Sequence, residues 1–209
     1  MISRKVYELL WKFLHIRQNP AFWTVFAHSV LVEELARAYC SVFCSEEEEL
    51  LAEAAAWHDV GKLLLPPYIL LKPGPLTPAE KLLVRIHPVF SFFLASKLGA
   101  NRSAAQAALF HHERWDGKGY PLGIGGTNIP EPARVVSVLD TVAALLEARP
   151  YKQGAFSKER ASELICSLAG KQFDPSTAQA VARLINSIST PQSETQQDKF
   201  GDLLKEEAR

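Results

Sequence analysis

Two histidines, His111 and His112, stand side by side ahead of a glycine-rich stretch, and an apolar helical pattern further on runs into a single aspartate, Asp140. Neighbouring residues on a helix point about 100° apart, so adjacent imidazoles rarely serve one ion. Two ions, or an ion and a substrate, would use both. Three more histidines precede the pair: His28, His58 and His87, with gaps of 30, 29 and 24 residues leading up to His111. Asp59 follows His58 directly. Such spacings, near one helix plus one loop, suit a bundle in which different helices bring ligands to one interior point. Imidazole combined with carboxylate suits Fe, Mn, Zn or Ni better than Mg or Ca. The stretch "AAAWHDVGK" is informative by itself, because an apolar helix ends there in adjacent ionisable groups that are costly to bury unpaired. His15 fits no such pattern and reads as structural.

The elements that must position these groups are helical nearly throughout. Apolar residues at helical spacing predict a helix over 5–16, ended by Asn19-Pro20, and a longer one from Phe22 to Tyr39. Ser45 followed by four glutamates predicts a serine-capped helix that reaches His58. Residues 61–78 carry too many prolines and glycines for one helix. Thr77 and Glu80 form a capping-box pattern, and Pro88 interrupts the helix that follows, which resumes to Leu98. Further helices are predicted over 102–112, 130–147, 157–169 and 174–187. The pattern has no βαβ alternation and no repeat, which gives an all-α bundle of seven or eight helices. Residues 1–189 are expected to form one domain, with an N-terminal helix in 1–20. Residues 190–209 are polar and read as a tail.

Whole-chain properties narrow the partners. The 209 residues suit one substantial core. Lys+Arg and Asp+Glu both number 23, so net charge gives no argument for DNA or another polyanion. The three cysteines, Cys40, Cys44 and Cys166, are an odd and sparse set, expected as reduced thiols in a cytoplasmic protein, with Cys40 and Cys44 buried. No early apolar run has the length of a signal peptide or a membrane span.

His58-Asp59 with Gly61-Lys62 resembles the HD superfamily of metal-dependent phosphohydrolases, and "HHERWDGKGYP" at 111–121 resembles the signature of its HD-GYP subgroup. "ILLKPGPLTPAE", "IHP" at 86–88, "VVSVLD" ending at Asp140, "RPYK" at 149–152 and "QFDP" at 172–175 extend the match over about residues 24–187. The resemblance implies an HD-type helical bundle with metal ligands His28, His58, Asp59, His87, His111, His112 and Asp140, in which Asp59 bridges two ions. His111 and His112 would then serve different ions. It implies two transition-metal ions, Fe or Mn foremost, with Ni or Zn also suited. The implied activity is hydrolysis of a 3′,5′-cyclic dinucleotide, chiefly cyclic di-GMP, to the linear dinucleotide and on to GMP in some members, by a hydroxide bridging the metals. Asp59 and Lys62 would be catalytic. Lys62 would hold a phosphate oxygen, and Tyr120, Arg149 and Lys152 would bind substrate. The resemblance leaves room for a protein partner at the glycine loop and for a homodimer.

Taken without the resemblance, Tyr120-Pro121 reads as turn chemistry, and Arg149 and Lys152 as a solvated helix end. Two positions depart from the family pattern. Some members have a glutamate one turn before the first histidine, which helps hold a third metal; Thr24 stands there. Many have a second aspartate three residues after the ligating one; Ala143 stands there, which weakens the expectation of high activity. Two other functions therefore stay open: an HD hydrolase of another nucleotide phosphoester, and a weakly active module that senses a nucleotide or docks a protein.

Overall fold

The computed structural model describes residues 1–14, 20–147 and 156–187. Ten α-helices run in order among the described residues: α1 (Ile2–Leu14), α2 (Phe22–Phe43), α3 (Glu48–Trp57), α4 (Pro67–Leu70), α5 (Pro78–Val84), α6 (His87–Lys97), α7 (Arg102–Phe110), α8 (Glu131–Leu146), α9 (Lys158–Ser167) and α10 (Pro175–Ser187). No strand occurs among them. The all-α expectation holds, and the extra helices have simple origins. Pro88 begins α6 rather than interrupting a longer helix, because a first-turn proline sacrifices an amide that has no helical partner anyway. The proline-rich stretch folds as a tight 3₁₀ turn over Val60–Leu64 and the single turn α4.

Several helix ends follow directly from side chains. Thr77 and Glu80 form the capping box of α5, Asn101 accepts from Ser103 N–H ahead of α7, and Ser157 accepts from Arg160 N–H ahead of α9. The start of α3 differs from expectation. A 3₁₀ turn over Ser45–Glu47 comes first, and the helix proper begins at Glu48 without a side-chain cap. The cysteine expectation is also corrected. The structure joins Cys40 to Cys44 as a disulfide, while Cys166 is free and exposed. Cys44 leaves the helix at the end of α2, with φ −155° and ψ 54°, and lies 4.3 Å from Cys40 between α-carbons. That exit carries its sulfur back toward the last turn.

At the centre lies α3, whose Ala52, Ala54, Ala55 and Ala56 are fully buried. Small side chains let α1, α2, α7 and α8 all pack on this one helix. One apolar cluster joins α2, α3, α7, α8, α9 and α10 around Leu139, Ile165 and Phe173. A second joins α1, α2, α3, α6 and α7 around Leu10, Phe22 and Trp57. Among the described residues no helix is long and apolar enough to cross a membrane.

Candidate metal centre

Five elements converge on one polar pocket within this apolar frame. α2 supplies His28 from its interior. The end of α3 supplies His58 and Asp59, the start of α6 supplies His87, the end of α7 supplies His111 and His112, and α8 supplies Asp140. His28, His58, Asp59, His87 and His111 are buried, and His112 and Asp140 partly so. Their donor atoms fall into two sets, in each of which all atoms lie within 4.8 Å of one another: Asp59, His87, His111 and His112, and His28, His58, Asp59 and Asp140. Asp59 belongs to both. All seven residues that the sequence nominates are thus brought together, but His111 and His112 fall in the same set, against the expectation that they serve different ions; at the end of α7 both rings turn toward the Asp59 and His87 side.

The distances describe a site built around the Asp59 carboxylate. Its Oδ1 lies 3.1 Å from His87 Nε2 and 3.8 Å from His111 Nε2, and its Oδ2 lies 3.4 Å from His58 Nε2. Asp140 Oδ1 lies 2.8 Å from His28 Nε2 and 3.9 Å from His58 Nε2. His87 Nε2 and His111 Nε2 are 3.4 Å apart. Lys62, one turn past Asp59, brings its ammonium onto Asp59 Oδ2.

Backbone geometry aims the rings. His58, His87 and His111 each donate Nδ1–H to the carbonyl three residues earlier, on Ala55 at 2.6 Å, Val84 at 2.7 Å and Ala108 at 2.9 Å. Each stands at a helix end, where carbonyls lack helical partners. The bond fixes one tautomer and turns Nε2 inward as a free lone pair. Gly61 lets the two halves of this cradle meet, since a Cβ there would lie 2.2 Å from the His87 carbonyl oxygen.

Electrostatics keep His111, His112, Asp59 and Asp140 in their ligating forms. Burial, then His112, His58 and His87, hold His111 well below the usual imidazole range. Burial and then His87 lower His112 to about 3. Burial would raise Asp59, but the Lys62 ammonium and His58 outweigh it and hold its carboxyl well below the usual range. Asp140 is lowered likewise, because His28 overrides the burial. Burial would lower His28, but the Asp140 and Glu147 carboxylates push it up to about 9. Two buried atoms of the centre, His58 Nε2 and Asp59 Oδ1, have no hydrogen-bond partner among the described residues. Orphaned acceptors at the heart of a histidine and carboxylate cluster are what a bound cation would satisfy. The residues present therefore fit a divalent metal.

The glycine-rich loop closes one side. Tyr120 stacks on His112, with ring centroids 4.8 Å apart, and the exposed Arg85 guanidinium lies 5.3 Å from the Tyr120 ring centre. Burial, then Asp59 and Asp140, raise the Tyr120 phenol, so it stays neutral. Gly119 packs against the chain's own backbone, where a Cβ would lie 2.5 Å from Glu113 Cα. Thus this glycine serves the loop's own fold rather than making room for a ligand. Glu113, buried behind His112, accepts the N–H groups of Leu122 and Gly123 at 2.7 and 3.0 Å. The "QFDP" stretch anchors the far side: Trp115 and Asp116 donate N–H to the carbonyls of Gln172 and Lys171, and Asp174 caps α10 while pairing with Arg134.

Two nominated positions, Arg149 and Lys152, lie outside the described residues, as does His15, which the sequence left as structural. Because α8 ends at Leu146, a helical path cannot be extended from Asp140 to Arg149. Thr24 is exposed on α2, and Ala143 is fully buried in the core. Sequence reasoning missed Glu147, Glu113 and Arg85. For Glu113 the signal was present, since it directly follows the histidine pair.

An all-helical bundle with paired histidine and aspartate ligand sets is an HD architecture, and residues 17–177 match the HD domain family model. The chain belongs to the HD domain family. It is 44% identical over 143 residues to the cyclic di-GMP phosphodiesterase response regulator RpfG of Xanthomonas campestris pv. campestris, covering 66% of this chain and 37% of that protein. It is 40% identical over 138 residues to a cyclic di-GMP phosphodiesterase of Thermotoga maritima, covering 65% of this chain and 37% of that protein. It therefore spans little more than a third of the length of these relatives. In fold it is similar to the HD domain of the L. monocytogenes phosphodiesterase PgpH, with a TM-score of 0.59, 16% identity and coverage of 86% of this chain and 94% of that one.

Proposed function

We propose that this chain is a metal-dependent phosphodiesterase that opens a cyclic dinucleotide, cyclic di-GMP foremost, to the linear dinucleotide. The observation that carries this is the position of Asp59 in two ligand sets, with His58 Nε2 and its own Oδ1 buried and unpartnered. A carboxylate shared between two sets suits two cations about one bridge width apart, the arrangement that serves in-line displacement at phosphorus. Fe or Mn best suits the mixture of imidazole and carboxylate. His28, His58, Asp59 and Asp140 would hold one ion, and Asp59, His87, His111 and His112 the other.

Bound there, the cations supply Lewis acidity toward a phosphoryl oxygen and make a coordinated water acidic enough to act near neutral pH. The chain's own residues do the rest. Asp59, common to both ligand sets, would help hold both ions. Lys62, now on Asp59 Oδ2, would place its ammonium on a non-bridging phosphate oxygen and offset the charge that builds there. Tyr120, stacked on His112 with Arg85 over its ring, shields the His112 side and would line the substrate site. Arg149 and Lys152 would engage the second phosphate or a guanine edge.

The test is metal analysis of anaerobically purified protein, followed by chromatography of cyclic di-GMP after incubation. Two ions per chain and accumulation of linear dinucleotide are expected. Protein loaded with Fe or Mn that leaves the cyclic form intact would refute the reading. If it cleaved other nucleotide phosphoesters instead, the substrate assignment alone would fall.

A further inference from the structure

Three histidines of the centre solve the same problem in one way. His58, His87 and His111 stand at helix ends and each gives Nδ1–H to a carbonyl three residues back. His28 cannot do this. It is the seventh residue of the 22-residue α2, and inside a helix each carbonyl is already taken by the amide four residues on. A ring there needs an acceptor from another element.

Glu147 provides it. Its Oε2 lies 3.2 Å from His28 Nδ1, across 119 residues of sequence. The same ring turns Nε2 to Asp140 Oδ1 at 2.8 Å, inside the centre. Glu147 is the first residue past α8, with its backbone extended at φ −69° and ψ 130° and its N–H on the Ala143 carbonyl at 2.9 Å. The helix stops one residue earlier, so this side chain can turn back across the bundle to α2. Its side chain is 23% exposed, against 9% for His28, so the carboxylate sits at the rim with the imidazole behind it. Ala143, one turn earlier on α8, is buried and has no acceptor to offer.

We propose that Glu147 is a positioning residue for the metal centre: it takes Nδ1–H of His28 and presents Nε2, lone pair outward, to the ion held with His58, Asp59 and Asp140. This rests on the metal reading above. A carboxylate behind a ligating imidazole fixes its tautomer and raises its basicity, and losing such a partner weakens metal binding about 10–100-fold. Glu147 would not itself bind an ion or touch substrate.

The test is titration of metal-free protein with Mn(II) against a competing chelator, beside thermal melting of the metal-free form. Glu147→Ala is expected to weaken one of two Mn(II) sites about 10–100-fold, the same site that His28→Ala abolishes, with the metal-free melt unchanged. Glu147→Gln keeps an acceptor oxygen and is expected to recover most of the loss. Wild-type affinity in Glu147→Ala would overturn the proposal. So would a fall in the metal-free melting temperature that Glu147→Gln shares, since Glu147 would then be structural. If Glu147→Ala fails to fold, Glu147→Gln and Glu147→Asp decide: wild-type affinity at both sites with Asp, whose carboxylate stops one methylene short, would overturn it. Should wild type bind no Mn(II), the metal reading itself falls. If wild type binds and only His28→Ala loses the site, the metal reading stands and the role of Glu147 falls.

Discussion

Asp59 does two jobs at once, since its Oδ1 faces His87 and His111 while its Oδ2 faces His58 and the Lys62 ammonium. Asp59→Ala is therefore expected to remove metal and turnover together, as measured by elemental analysis and product formation. Lys62→Ala should keep both ions and lower kcat about 100-fold, the usual loss when one preorganised charge partner of a transition state is deleted. Arg149→Ala is expected to raise the KM for cyclic di-GMP while a small generic phosphodiester, which reaches only the ions, is cleaved almost as before; equal loss of both would make Arg149 structural. The seven clustered side chains were legible in the sequence because histidines and aspartates are rare in apolar helices, their spacing matched whole elements, and the HD-GYP resemblance named the same positions. Glu147 was not, because its contact with His28 depends on where α8 stops, and no local pattern separates a stop at Leu146 from one a residue later.

At the level of elements, the centre depends on helix ends more than on helix faces. His58, His87, His111 and His112 all lie at termini, where free carbonyls can aim rings. The close approach of the Val60–Leu64 turn to α6 is set by Gly61, whose N–H also reaches Ser91 Oγ at 2.8 Å. Gly61→Ala would drive a methyl into the His87 carbonyl and the Ser91 amide. It is expected to destabilise the fold by about 1–3 kcal/mol and to weaken the Mn(II) site that includes His87, as read by melting and by titration. Capping residues made several of these ends visible beforehand, as at Thr77 and Asn101. The start of α3 was misread because four glutamates after Ser45 suit the first turn of an α-helix and a 3₁₀ turn equally well. The anchoring of the glycine loop by Lys171 and Gln172 was invisible, because it runs through backbone groups that every residue possesses.

Across the whole molecule, the N-terminal helix is held by one buried acid. Glu33 accepts the N–H groups of Ile2 and Ser3 at 2.7 Å each and pairs with Arg37. Burial would raise its carboxyl, but these donors outweigh it and lower it. A lowered folded value means that this stabilisation is complete above the unfolded glutamate value near about 4.3 and is lost as pH falls through the folded one. Glu33→Gln should cost about 2 kcal/mol at neutral pH, and the gap to wild type should close in acid; denaturant unfolding from pH 7 down to pH 3 checks both. A gap that does not change with pH would remove the charge from this account. The all-α class was readable from periodicity, but this clasp was not, since Glu33 looks like one of many charges on α2.

His28 and Asp140 face each other across 112 residues of sequence, and the main chain that fastens the glycine loop lies beyond both. That separation sets an order in time. A chain emerging from the ribosome has most of its histidines available early, but cannot complete the set of His28, His58, Asp59 and Asp140 until α8 has been made and brought back onto α2. Contacts between such distant residues form late, after the entropy of closing the intervening loop has been met. Completion of that set is thus an event of the finished domain, while the set of Asp59, His87, His111 and His112 can assemble from α3, α6 and α7 alone.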